Sequence, residues 1–344
     1  MLRIAVLGAG WAGTRQAQAI RELGRKVEIA CLVDSDKDFL ERKANELNVD
    51  KTYTDYRAAL DDPGVDAVSI CLPHRLHLEA TLAAASAHKH VLCEKPIAMT
   101  VAEATRMIEA ADAQGIKLYV AENAVYTSRA KMLREIVATG RYIGELTFAS
   151  STKGFQAPDY GYPGRRAWLS TPQAGGSGAW LLNGIHSVAE LRFVLGEVAT
   201  VYMREHKAGS FKRQDVEGTM YGLLTLENGL PVSIAQTAET HLVHNLRGYV
   251  LYGDEGTVRS GREGIEAFSK ALDPDEKPVF YPYPEEPLSS YAQEIEAFAD
   301  YVAGAAAGPT TARSERRSLA IVEAGYKSAE RGVPIDLEEE FGPL

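Results

Sequence analysis

Gly8-Ala9-Gly10-Trp11-Ala12-Gly13 follows an apolar run, Leu2-Arg3-Ile4-Ala5-Val6-Leu7, and precedes a segment, Thr14 to Leu23, with Ala17, Ile20 and Leu23 on one helical face. Strand, glycine turn and helix in that order predict a phosphate-binding unit. Gly8 permits the turn, Gly10 lets the backbone approach a pyrophosphate with no Cβ in the way, and Gly13 lets the helix pack on the strand. N–H groups at the start of the helix, around Trp11 and Ala12, then face the anion. A second apolar run, Val27 to Val33, ends at Asp34, about twenty residues past the last glycine, where a carboxylate accepts both ribose hydroxyls and repels a 2'-phosphate. NAD is the expected cofactor. Lys37 and Arg42 keep NADP open, with ordinary helix-surface charge as the plain alternative.

The 344 residues are too many for one ordinary domain, and 45% hydrophobic residues suffice for sizeable cores. A net charge of −10 disfavours nucleic acid and anionic membrane as partners, since both attract basic surfaces. No apolar stretch approaches membrane-spanning length, and the first strand starts at Leu2, so a cytoplasmic protein with a small-molecule substrate is expected. Cys31, Cys71 and Cys93 lie in or at the ends of apolar runs without metal-ligand spacing and read as core residues.

Strand and helix patterns alternate to about Ala121: a strand over Val65 to Leu72, a helix over Leu76 to Ala87, a strand over His90 to Cys93, a helix over Val101 to Gln114 and a strand over Leu118 to Ala121. This predicts a doubly wound parallel sheet with its ligand beyond the carboxyl ends of the strands. Leu72-Pro73-His74 and Glu94-Lys95-Pro96 sit at two such ends. After a helix over Ser128 to Thr139, strands dominate: Leu146 to Lys153, Val198 to His206, Val216 to Leu226 and Leu230 to Ala238, the last two joined by Asn228-Gly229. They predict an antiparallel sheet. Alternation puts Val216, Met220 and Leu224 on one face and Glu217, Thr219 and Tyr221 on the other. Pro274 to Pro287 reads as a loop, and two helices, Tyr291 to Ala303 and Thr311 to Arg331, end the chain.

The glycine turn, Asp34, Leu72-Pro73-His74 with His77, Cys93-Glu94-Lys95-Pro96, and Gly184-Ile185-His186 opening an apolar helix together resemble the Gfo/Idh/MocA oxidoreductases along essentially the whole chain. The resemblance implies an α/β fold: a Rossmann domain, residues 1–123, and a second α/β domain, 124–344, with a large, mostly antiparallel sheet. It also implies hydride transfer between nicotinamide and sugars, cyclitols or related polyols, in homodimers or homotetramers. By position, Lys95 resembles the lysine between nicotinamide and substrate hydroxyl, where an ammonium stabilises developing alkoxide. His186 resembles the acid/base histidine, its imidazole titrating near neutrality. Leu72, Pro73, His74, His77, Glu94 and Asn123 are the further expected cofactor contacts, while Tyr126, Arg166, Trp168 and Asn183 are expected to face substrate.

One position departs from the family pattern: Leu182 stands where many members carry an aspartate, four residues before His186. A different partner for His186, Asn183 or another group, a chemistry other than polyol oxidation, a non-catalytic sensor, or transient use of NAD in elimination or glycoside cleavage therefore stay open. His241 and His244 have metal-like spacing without a third ligand, and no metal is expected.

Overall fold

The computed structural model describes residues 1–156, 164–172, 177–241 and 248–344, and the chain forms two compact units, 1–126 with 287–319, and 127–286 with 320–344.

The first unit begins β1 (Leu2–Leu7), α1 (Trp11–Glu22), β2 (Val27–Val33), α2 (Lys37–Glu46), β3 (Thr52–Tyr53), α3 (Tyr56–Leu60), β4 (Ala67–Ile70), α4 (His77–Ser86), β5 (His90–Glu94), α5 (Val101–Ala113) and β6 (Leu118–Ala121). Its six strands run parallel in the order β3-β2-β1-β4-β5-β6, so the order reverses between β1 and β4. Nearly continuous burial of β1, β4 and β5 reflects a sheet covered on both faces. Helix starts follow local chemistry: Asp36, Asp55 and Thr100 each cap with a side-chain oxygen. A later segment also belongs here. Ala292, Ile295 and Phe298 join the core of Ile4, Val6 and Ile20, and Tyr119 hydrogen bonds to Thr310.

The second unit contains α6 (Ser128–Thr139), β7 (Leu146–Gly154), a π-helical turn (Trp180–Gly184), α7 (Ile185–Leu195), β8 (Val198–His206), β9 (Thr219–Leu226), β10 (Pro231–Thr237), β11 (Gly248–Gly253), β12 (Thr257–Ser260), β13 (Gly264–Phe268) and β14 (Val279–Pro282). After α8 (Ser290–Val302) of the first unit come α9 (Ala312–Arg331), β15 (Ile335–Asp336) and α10 (Leu337–Phe341). Nine strands form one sheet in the order β14-β13-β12-β11-β7-β10-β9-β8-β15. The β7–β10 pair is parallel and the others antiparallel; the long connection between β7 and β10 permits the crossover that a parallel pair needs and a hairpin cannot supply. Asn228-Gly229 makes the β9–β10 hairpin, with Gly229 at φ +86°.

Two expectations are corrected. The segment read as a proline-rich loop contains β14, recruited as an edge strand by β13. The strand read from Val216 starts instead at Thr219, so alternation does not govern Glu217, which is buried at 5% exposure. Among the described residues no helix is long and apolar enough to cross a membrane.

Candidate active site

The glycine turn has the shape its spacing predicts. Gly8 adopts φ +100°, and an ideal Cβ there would lie 2.5 Å from the Cys71 carbonyl oxygen. A Cβ on Gly13 would fall 1.8 Å from the Gly8 carbonyl oxygen, so helix and turn meet backbone to backbone. Gly10 is the opposite case: its Cβ would meet nothing within 4 Å. The start of α1 has no side-chain cap and no acidic residue in its first turn, which favours an anion. Trp11 is 55% exposed at this end, with the Arg15 guanidinium over its ring, and Ala12 is half-buried.

Asp34, at the end of β2, is buried. Its Oδ2 accepts the Ala9 N–H at 3.1 Å and its Oδ1 accepts the Asp36 N–H at 3.1 Å, fixing the carboxylate beside the turn. Lys37 pairs with Glu41 at 3.9 Å, and Arg42 lies over the Phe39 ring. The open space at Gly10, the uncapped helix start and the anchored carboxylate fit a dinucleotide.

At the end of β4, Leu72 and Pro73 are half-buried and His74 is buried. His77 plays a different part from the expected cofactor contact. Its ring is fully buried, with Nε2 2.9 Å from the Leu72 carbonyl and Nδ1 2.9 Å from the Pro96 carbonyl, so it ties together the turns after β4 and β5. Burial lowers its pKa against the opposing influence of both carbonyls. Beside it, half-buried Lys95 follows Glu94, whose Oε1 accepts from Gln16 Nε2 at 3.1 Å. The same Gln16 amide donates to Glu294 Oε1 at 3.0 Å. Burial raises the pKa of Glu94, with Lys95 opposing, and raises that of Glu294 further, with Glu94 adding to the effect.

Asn123 donates its amide to Ser290 Oγ at 2.9 Å. Tyr126, expected to face substrate, is buried with its hydroxyl 2.7 Å from that of Tyr119 and 3.5 Å from Thr310 Oγ1. This geometry gives it a packing role in the first unit.

In the second unit the π turn leads directly into α7 and places Asn183 and His186 at half-buried positions. Leu182 packs with Leu169, Phe211, Val216 and Ala238, against which Phe155 and half-buried Trp168 also lie. An apolar cluster thus fills the space around the position where an acid was expected. The Arg166 side chain and His244 lie outside the described residues; His241 is exposed.

Two buried polar groups escaped sequence reading. Glu190, one helical turn after His186, is fully buried and accepts from Arg129 Nε and Nη2 at 2.7 and 2.8 Å and from Lys153 Nζ. The Lys153 ammonium also lies over the Tyr249 ring at 4.8 Å. Burial would raise the Glu190 pKa, but Lys153 and Arg129 together hold it below the ordinary value. Glu217 is the second: burial pushes its carboxyl up to about 7 despite hydrogen bonds from the Trp180 N–H and the Tyr326 hydroxyl. A carboxylate among the apolar residues Val188, Ala189 and Leu191, as at Glu190, was the available signal for the first. Strand alternation misdirected the second.

Comparison with known proteins agrees with this architecture. Residues 2–122 match the family model for the oxidoreductase family with NAD-binding Rossmann fold, GFO_IDH_MocA, and residues 130–259 match the GFO/IDH/MocA C-terminal domain. The chain is 29% identical over 329 residues to the 1,5-anhydro-D-fructose reductase of Ensifer adhaerens, covering 93% of each chain. It is 27% identical over 349 residues to the myo-inositol 2-dehydrogenase of Thermotoga maritima, covering 99% of this chain and 100% of that one. An oxidoreductase from Agrobacterium radiobacter, solved with NAD+, L-tartaric acid and magnesium, superposes with a TM-score of 0.85 at 21% identity, covering 99% of both chains. With an anchored Asp34, an open glycine cradle and both family domains matched, the chain belongs to the GFO/IDH/MocA family of NAD(P)-dependent oxidoreductases.

Proposed function

We propose that the enzyme moves hydride between a nicotinamide, preferably that of NAD, and a hydroxyl-bearing carbon of a sugar, cyclitol or related polyol. The observation that carries this reading is Lys95 at the carboxyl end of β5, in a turn fixed by His77 and Glu94, on the sheet whose β1 feeds the glycine cradle. In this reading the first half of the chain holds the dinucleotide and the second the substrate. When bound, the nicotinamide supplies the two-electron acceptor or donor. Gly8, Gly10 and Gly13 shape the pyrophosphate site, backbone N–H groups of Trp11 and Ala12 offer hydrogen bonds to it, and Asp34 accepts from the ribose hydroxyls.

As a carbinol is oxidised, Lys95 stabilises the developing alkoxide and His186 takes the hydroxyl proton; in reduction Lys95 stabilises the same oxyanion and His186 returns the proton. Asn183 and Trp168 are the substrate-facing candidates beside His186. The anchored Asp34, together with Lys37 and Arg42 engaged along α2, supports NAD over NADP. The reductase and the inositol dehydrogenase among the relatives support the polyol class.

A homodimer or homotetramer belongs to the same reading. Phe280, Glu266, Arg259, Val250, Ser150, Ser233 and Leu223 form one cross-strand row on the open sheet face, where Leu223 and Phe280 are 56% and 55% exposed. Nearby, Phe148 stacks on Tyr252 at 4.1 Å. A second copy suits the exposed Phe148, Leu223 and Phe280 on that face, and sedimentation of Leu223→Glu against the unmodified protein tests it.

The test of function is NADH appearance from NAD across a panel of sugars, cyclitols, uronates and dihydrodiols. Lys95→Ala should lower turnover by about 10²-fold or more. Turnover equal to the unmodified enzyme would overturn the role of Lys95.

A further inference from the structure

The helix that carries His186 begins in an unusual way. Its first three N–H groups, those of Ala179, Trp180 and Leu181, are all received from outside the helix by two residues distant in sequence. The Glu217 carbonyl accepts from Ala179 at 3.3 Å, the Glu217 Oε1 from Trp180 at 2.7 Å, and the Tyr326 hydroxyl from Leu181 at 3.1 Å. Tyr326 in turn donates to the same Glu217 Oε1 at 2.8 Å, closing the network.

The surrounding glycines are cut to this arrangement. A Cβ on Gly178 would lie 2.1 Å from Glu217 Oε2, so only glycine leaves space for the carboxyl. Trp180 is fully buried and donates Nε1–H to the Val322 carbonyl at 3.0 Å, in a slot that a Cβ on Gly184 or Gly325 would enter at 2.6 Å. The π turn is thereby pinned at both backbone and side chain, and the rotation at which α7 leaves it fixes where Asn183 and His186 point.

We propose that Glu217, with Tyr326, is a positioning residue for His186, holding the start of the helix in the rotation that aims the imidazole. This deepens the proposed function and rests on its reading of His186 as the proton-transfer group. Glu217 acts through backbone N–H groups and touches no reacting atom.

The test uses full-length protein loaded with NAD+ and labelled with [13C]histidine, the His186 signal being assigned from a His186→Gln variant. Tyr326→Phe removes one hydroxyl and Glu217→Ala the acceptor, while Glu217→Gln keeps an acceptor oxygen without charge. Amide exchange should quicken by about tenfold at Leu181 in Tyr326→Phe and at Trp180 in Glu217→Ala, while the last turn of α7 stays protected. The His186 signal should move and its titration midpoint shift by about 0.3 pH units or more, with Glu217→Gln restoring most of both. Should Glu217→Ala fail to fold, Tyr326→Phe carries the test. A His186 signal and titration unchanged in Tyr326→Phe would overturn the proposal. If His186→Gln keeps full turnover while the signal still moves, the proton-transfer reading fails and the positioning geometry survives.

Discussion

Arg129 grips Glu190 with two parallel hydrogen bonds, Nε to Oε1 at 2.7 Å and Nη2 to Oε2 at 2.8 Å, on a carboxylate with no solvent exposure. Breaking such a pair leaves an uncompensated buried charge, which costs about 3–5 kcal/mol, more than the net contribution of the intact pair. Lys153 remains as a second cation and moderates that cost. Arg129→Met should therefore lower unfolding free energy by about 2–4 kcal/mol in urea at pH 7. Because the Glu190 pKa is depressed, its stabilisation is present above its ordinary value of 4.5 and fades as pH falls below that value. The difference between variant and parent should narrow over that acid range; a constant difference down to pH 3 would argue against an ionised Glu190.

Glu294 predicts the opposite pH dependence. Its Oε2 and the Gln16 Oε1 are both buried without a hydrogen-bond partner, an arrangement that suits a proton on Glu294. A carboxyl whose folded pKa is raised contributes its stability below the unfolded value and loses it as pH climbs toward the folded one. Glu294→Gln should then be more stable than the parent at pH 8, by on the order of 1 kcal/mol with a correspondingly higher melting temperature, and match it near pH 4. A lower melting temperature at pH 8 would show that the carboxylate is needed in its charged form.

Gly10 and Gly13 separate binding from folding. Gly13→Ala forces a Cβ against the Gly8 carbonyl and should destabilise the first unit by several kcal/mol, on the order of 3. Gly10→Ala projects into open space at an ordinary φ of −67°, so its melting temperature should stay within a few degrees of the parent. NADH affinity, followed by fluorescence, should nevertheless fall about tenfold or more, because the methyl occupies the pyrophosphate approach. Unchanged affinity in Gly10→Ala would place the phosphates elsewhere.

Asp34→Ser removes the carboxylate proposed to accept from the ribose hydroxyls. The ratio of NADPH to NADH affinity should rise by about tenfold or more, measured by titration of each cofactor. An unchanged ratio would mean that Asp34 serves to anchor the turn, through the Ala9 and Asp36 N–H groups, rather than to select the cofactor.

Local patterns were sufficient for most of the first unit up to β6, although α2, β3 and α3 were not read from them. Strand length, glycine spacing and helix periodicity are properties of adjacent residues, so β1, α1, β2 and Asp34 were legible directly, as was the Asn228-Gly229 hairpin. The resemblance then drew attention to Lys95 and His186 from two short motifs.

What the sequence could not determine depends on residues far apart along the chain. The return of Ala292, Ile295 and Phe298 to the core around Ile4 is such a case, because a helix's apolar face does not say which core it joins. The parallel β7–β10 pair, the edge strand β14 and the fate of Leu182 in an apolar cluster are others. Glu217 marks the boundary most sharply: in sequence it belonged to an alternating strand, yet the fold begins that strand two residues later and turns the carboxyl inward onto Trp180. Period-two alternation assigns faces only where a ladder exists to enforce them. Outside the ladder, burial and the unmet N–H groups of another helix decide where a carboxylate goes, and only tertiary structure brings those partners together.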